Sequence, residues 1–128
     1  MIIKNGNIIS SGYNSVTKTN DPTAHAEINA IRSAAEKLST FDLSGCEIYS
    51  SCEPCPMCLA AIYWAHCDKI YYAASRNDAQ NAGFNDSYIY TEICLNPEAR
   101  SVKQVQMLRD EALEVFNIWK IKEGKIEY

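Results

Sequence analysis

The stretch Ser50-Ser51-Cys52-Glu53-Pro54-Cys55-Pro56-Met57-Cys58-Leu59-Ala60-Ala61-Ile62-Tyr63-Trp64, read together with His25-Ala26-Glu27 upstream, decides how this chain is organised. Proline has no backbone N–H and a fixed φ, so Pro54 suits the start of a helix and places Cys55 and Cys58 in its first turn, on one face. Two soft thiolates at that spacing, joined by a histidine from elsewhere in the chain, are ligands for one tetrahedral Zn²⁺. Three protein ligands leave the fourth position open for water, which is the pattern of a catalytic zinc rather than a structural one. Glu27 then offers a carboxylate for general acid/base work beside the metal.

Outward from that stretch, Gly45 to Ser51 alternates Cys46, Ile48 and Ser50 against Glu47, Tyr49 and Ser51, which predicts a strand running into the cysteine turn. A helix from Cys55 to Ala65 follows, and Lys69 to Ala74 reads as the next strand. Strand, helix, strand at this spacing is an α/β arrangement with parallel neighbours and a ligand crevice at the strand ends. Tyr63, Trp64, Tyr71 and Tyr72 are expected in the core.

Towards the N-terminus, two short apolar runs flank Asn5-Gly6, the strongest two-residue hairpin signal because both residues tolerate positive φ. Ser10 to Asn20 reads as a loop, in which Asn14 is either a turn residue or a side-chain amide able to address a base edge. Asp21 as N-cap and Pro22 at the first helical position predict a helix with Ile28, Ile31, Ala35 and Leu38 inward and His25 in its first turn. Residues two apart on a regular helix point about 200° away from each other, so His25 and Glu27 meet at one metal only near an irregular helix start. Beyond Ala74, Ser75 to Ser87 reads as a loop at the mouth of the site, Val102 to Met107 as a last strand, and Arg109 to Lys120 as a helix with Leu113, Phe116 and Trp119 inward.

The 128 residues fit one domain, 1–128, with 47% hydrophobic and 22% charged residues, and no apolar run approaches a membrane span. Met-Ile-Ile-Lys-Asn-Gly has none of the parts of a signal peptide, so the chain is expected in the cytoplasm. In that compartment the Cys-x-x-Cys pair is a metal or redox motif rather than half of a disulfide framework. A thioredoxin-like redox role would leave Pro54 and His-Ala-Glu unexplained. Cys46, Cys67 and Cys94 are expected as small buried residues, and Cys52 is either a neighbour of the zinc or a fourth ligand that would close the site. The net charge of −4 argues against a nucleic-acid partner, because such binding draws on Lys and Arg contacts to phosphate.

His-x-Glu followed by Pro-Cys-x-x-Cys resembles the signature of the zinc nucleobase deaminases. Over nearly the whole chain, Asn20-Asp21-Pro22-Thr23-Ala24-His25-Ala26-Glu27, Tyr49 to Cys58, Ala60-Ala61-Ile62-Tyr63-Trp64-Ala65 and Ala82 to Tyr90 resemble the bacterial guanine deaminases of the cytidine deaminase superfamily. The first two segments are also similar to tRNA adenosine deaminases. Ser-Cys before Glu53, Ile-Tyr-Trp-Ala, Gly-Phe-Asn-Asp-Ser and the terminal Glu-Tyr point instead to guanine.

The resemblance implies a three-layer α/β/α cytidine-deaminase-like fold with a mixed five-stranded sheet, and one catalytic zinc on His25, Cys55 and Cys58. The implied reaction is hydrolysis of guanine to xanthine and ammonia, with Glu27 as the main proton shuttle and Asp86 assisting. It places the purine against Asn14, His25, Ala26 and Asp86. It also implies a homodimer, domain-swapped in some members, in which Tyr128 of one subunit reaches the other's pocket. The family's N-terminal helix and its Gly-Pro-Phe-Gly-like lead into the first strand have no counterpart in this sequence. The expectation is therefore a sequence without its natural start, or a shortened relative with weakened stability or substrate contacts. A tRNA adenosine or cytosine deaminase, and a non-catalytic zinc-stabilised relative, remain as alternatives.

Overall fold

The computed structural model describes residues 1–84 and 86–127; Asn85 and Tyr128, with the substrate contact expected of Tyr128, lie outside the described residues. The chain divides into two compact units, Met1–Tyr90 and Thr91–Tyr128.

In the first unit, β1 (Ile2–Lys4) and β2 (Asn7–Ser10) form the expected hairpin, with Asn5 and Gly6 at φ 51° and 76°. β1 also pairs antiparallel with β3 (Cys46–Cys52), and β3 pairs parallel with β4 (Lys69–Ala74), giving a mixed sheet of order β2-β1-β3-β4. This sheet has four strands, not the five expected. The helices are α1 (Val16–Thr19), α2 (Ala26–Leu38), α3 (Pro56–Trp64), α4 (Arg76–Asn81) and α5 (Ser87–Cys94), the last crossing the boundary between the units. Ile2, Cys46 and Ile48 of the sheet close on Ala30 and Ala34 of α2 and on Ile62 and Ala65 at the end of α3. Each fully buried isoleucine removes apolar surface equivalent to about 1.5–3 kcal/mol. This core fixes α2 and α3 on the sheet, and both bring their N-termini to the site.

Several expectations are corrected. The helix expected from Asp21 starts at Ala26, because the Asp21 carboxylate accepts the Thr23 N–H (2.8 Å) and hydroxyl (2.7 Å) and folds the segment into a turn. Pro56, not Pro54, opens α3. The segment expected as a loop from Ser75 contains α4, whose start is a capping box: Ser75 accepts the Asp78 N–H, and the Asp78 carboxylate accepts the Ser75 N–H. The core expected around the aromatics does not include Tyr63, Trp64 and Tyr72, which are exposed, whereas Tyr71 stacks on Tyr49 at 4.4 Å. Cys46 is buried as expected, but Cys67 is half-buried and Cys94 exposed.

In the second unit, a 3₁₀ turn at Pro97–Ala99 precedes α6 (Arg109–Ile121). Val102 to Met107 is irregular and exposed rather than a strand. A strand exists only in a ladder, and here the chain is fastened by side chains instead. Arg100 Nε donates to Glu92 O and Leu95 O, both at 3.1 Å, and the Glu92 carboxylate accepts the Ser101 N–H at 2.7 Å. α6 forms as expected, but Leu113, Phe116 and Trp119 are not buried within the described chain.

Candidate active site

His25 and Cys55 occupy equivalent positions: each is the extended residue that caps a helix, at ψ 158° before α2 and ψ 167° before α3. The side chain of an N-cap residue lies over the open end of its helix. Glu27 and Cys58 follow in the first turns, so two helix starts supply four chemically active groups to one corner of the sheet. The extended geometry of His25 is what allows it and Glu27 to face the same point despite their two-residue spacing.

The loop leading to His25 is held firmly. Ser15 N–H donates to Ala24 O at 2.9 Å, and the Asn29 amide donates to Tyr13 O (2.9 Å), Ser15 Oγ (3.1 Å) and Ala24 O (3.3 Å). Gly12 passes so close to α2 that a Cβ there would lie 2.3 Å from Ala26 O and 2.8 Å from Ala30 N.

One ligand atom each from His25, Cys55 and Cys58 lies within 4.8 Å of the others, and His25 Nδ1 is 3.6 Å from Cys55 Sγ. Ligands about 2.0–2.3 Å from a tetrahedral zinc stand roughly 3.5 Å apart, so one histidine and two thiolates here fit that ion. The hydrogen bond from the Cys58 thiol, with some help from His25, lowers the Cys55 pKa to about 6. The same contact, with burial and the Glu27 charge, pushes Cys58 up. Ile28, Met57 and Ala61 form the apolar floor beneath them.

Cys52 does not join this group. Its sulfur lies 3.8 Å from Ser75 O, and burial pushes its thiol up, which leaves it a neutral neighbour. Among the described residues the metal group therefore has three protein members, the open form expected of a catalytic site.

Glu27 stands beside the sulfurs. Ser50 Oγ donates to Glu27 Oε1 at 2.9 Å, and Cys58 Sγ lies 3.5 Å from Glu27 Oε2. A cavity of about 400 Å³ adjoins this carboxylate, lined by Gly12, Ala26, Glu27, Ser50 and Ser51 among others. That is within the range of small-molecule sites.

The other expected residues are placed less directly. Ala26 opens α2 and lines the cavity. Asn14 is exposed, and its side-chain oxygen accepts the Val16 N–H at 3.1 Å, a local turn role. Asp86 is half-buried, its carbonyl accepts the Ile89 N–H at 3.1 Å, and its charge is among those that raise Cys52 and Tyr90. Ser50, Gly12 and Asn29 support the site without having been singled out in the sequence. Ser50 alone had a signal, a hydroxyl in phase with the inward-facing Cys46 and Ile48.

Residues 1–74 match the cytidine and deoxycytidylate deaminase zinc-binding region. The guanine deaminase of Bacillus subtilis (strain 168) is 49% identical over 128 residues, which is 100% of this chain and 82% of that protein. The X-ray structure of guanine deaminase from Bacillus subtilis superposes with a TM-score of 0.95 at 50% identity, covering 99% of this chain and 81% of that one. A tRNA-specific adenosine deaminase of Aquifex aeolicus (strain VF5) is 46% identical over 74 residues, covering 58% of this chain and 49% of that protein. The likeness to this tRNA enzyme is confined to a stretch as long as the zinc-binding region, whereas the likeness to guanine deaminase runs through both units.

Proposed function

Since this chain belongs to the zinc-dependent cytidine and deoxycytidylate deaminase family, we propose that it is a guanine deaminase, hydrolysing guanine to xanthine and ammonia. The observation that carries this is the convergence of His25, Cys55 and Cys58 with the Glu27 carboxylate beside a cavity of about 400 Å³. The cavity meets this group at Glu27 and is not lined by the three ligands themselves; its volume suits a free base.

His25, Cys55 and Cys58 hold the metal, which when bound lowers the pKa of a coordinated water to about 7 and so supplies the nucleophile. Glu27, beside the metal group, would accept a proton from the water that adds to the ring carbon bearing the exocyclic amine. It passes that proton to the ring nitrogen and then carries the second proton, from the added hydroxyl, to the amine, so that the carbon–oxygen double bond forms as the carbon–nitrogen bond breaks and ammonia leaves. Ser50 keeps the Glu27 carboxylate turned for this transfer through its hydrogen bond to Oε1.

Asp86 is assigned the assisting role at the exocyclic amine; its half-buried position between α4 and α5 supports this. Asn14, His25 and Ala26 are assigned to the purine, Asn14 through the nitrogen of its amide. We read residues 1–128 as one deaminase domain acting in the cytoplasm; no described helix is long and apolar enough to cross a membrane. The working form is a homodimer whose C-terminal segments are exchanged, Tyr128 of each closing the other's pocket. In support, α6 forms an apolar stripe, and Val102, Val105 and Met107 are exposed with it. A partner subunit would also complete the three-layer arrangement.

The test is ammonia release by zinc-loaded protein given guanine, with cytosine, adenine and an adenosine-bearing tRNA stem-loop in parallel. Release from guanine is expected. Glu27→Ala is expected to retain zinc and lose turnover by about 10²–10⁴-fold. Release from the stem-loop instead of guanine, or an active Glu27→Ala protein, would overturn the assignment.

A further inference from the structure

Cys55 reaches the site at the end of a two-residue connection, Glu53-Pro54, between β3 and the cap of α3. Because Cys55 is the N-cap, the first carbonyl used by α3 is its own, accepting Leu59 N–H at 2.8 Å. The carbonyl of buried Pro54 therefore lies outside the helix ladder, and a buried carbonyl requires a donor from elsewhere. Tyr90 supplies it, its phenol donating to Pro54 O at 2.9 Å.

Glu53 is tied as closely. Its N–H donates to Ala74 O at 2.8 Å, and its carboxylate accepts the backbone N–H of Arg76 at 2.9 Å and faces Arg76 Nε at 3.4 Å. The Glu53 side chain is only 20% exposed, so these partners stand where a surface carboxylate would have water. The Arg76 guanidinium in turn lies 4.7 Å from the centre of the Tyr90 ring. The contacts form a closed circuit: Glu53 to Arg76, Arg76 to Tyr90, Tyr90 to Pro54. Arg76 opens α4 and Tyr90 lies in α5, with Asp86 on the connection between them.

We infer that Glu53, Arg76 and Tyr90 brace the turn that presents Cys55, and that Tyr90 is a positioning residue through which retention of the metal is coupled to the segment carrying Asp86. The inference rests on the assignment of His25, Cys55 and Cys58 as zinc ligands. Groups that orient a ligand from behind typically change metal affinity about 10–100-fold when removed.

The experiment measures zinc release from the holoprotein to a chelator, together with the visible spectrum of the cobalt-substituted protein. Tyr90→Phe keeps the ring over Arg76 and removes the phenol's hydrogen bond to Pro54 O. It is expected to release zinc about tenfold faster and to shift the cobalt–thiolate bands. Arg76→Gln, at an exposed position, removes the charge partner of Glu53 and the cation over the Tyr90 ring but leaves the Tyr90–Pro54 hydrogen bond in place, and is expected to change both readouts less, in the same direction. A packing role alone would lower the melting temperature and leave both readouts unmoved. Release rates and cobalt spectra equal to wild type in both variants would overturn the brace. A wild-type protein that takes up no zinc would overturn the ligand assignment and the brace together.

Discussion

Ile48 and Ile118 are the same side chain in two different surroundings: Ile48 is 0% exposed in β3 and Ile118 is 65% exposed in α6. Both stand on regular elements with apolar neighbours at the right period. The face of β3 that carries Ile48 is covered within its own unit by α2 and α3, whereas α6 has no buried residue at all. A periodic stripe specifies which face of an element seeks cover. Only contacts distant in sequence specify what covers it, and among the described residues β3 has such contacts and α6 does not.

The comparison is tested most strongly by truncating both faces. Ile48→Ala should lower unfolding stability by about 2–5 kcal/mol, read as a shift of the urea midpoint at unchanged slope and independent of protein concentration. Phe116→Ala on a solvent-facing α6 would cost about 0.5 kcal/mol or less. With C-terminal segments exchanged in a homodimer, it should instead cost several times that and weaken with rising protein concentration. A small, concentration-independent effect of Phe116→Ala would remove the exchanged segment from the proposal and leave the two units as different as they stand.

The same contrast decides what was legible in the sequence. The Asn5-Gly6 hairpin, the strands Cys46–Cys52 and Lys69–Ala74, and the helix after the cysteines all rest on local signals or on a core closed within about 70 residues, and each forms as expected. The metal group was legible because ligand chemistry restricts residue type so tightly. Where a side chain had two competing uses, the prediction failed. Asp21 could cap a helix or fold its own turn around Thr23, and the turn prevailed. Pro54 and Pro56 both suit a helix start, and only the second serves as one. Ser75 and Asp78 carry a capping-box pattern inside a stretch whose polarity reads as a loop. Val102 to Met107 and the stripe of α6 have the right periods for buried elements, yet burial depends on a partner that the period does not name.

Packing in the first unit extends to the site itself, which a smaller perturbation sharpens. Gly12→Ala would place a methyl group 2.3 Å from Ala26 O, at the start of the helix that carries Glu27 and follows directly on His25. Backbone must move to make room, and overpacking of this kind costs about 1–3 kcal/mol. The variant should melt earlier and retain less than one zinc per chain. A Gly12→Ala protein with full zinc and unchanged melting would mean that the loop yields and α2 does not, so that the tight packing of the core stops short of the site.

The smallest change lies inside the cavity and separates packing from chemistry. Ser50 is on the inward face of β3, two residues beyond Ile48, but its contact is polar: its hydroxyl holds Glu27 Oε1 at 2.9 Å while Oε2 faces the cysteine sulfur 3.5 Å away. Ser50→Ala removes one oxygen from a half-buried position, so it should leave the fold and the zinc content unchanged. Without that hydrogen bond the carboxylate is free to rotate away from the proton it must carry. The expected result is a kcat on guanine lowered about tenfold at an unchanged KM, since roughly 1.4 kcal/mol of orientation is lost in the transition state alone. Ser50→Thr keeps the hydroxyl and should restore most of the rate. Equal turnover in all three proteins would show that α2 aims Glu27 without help from the strand, and the inward face of β3 would then serve the core at Ile48 and nothing more at Ser50.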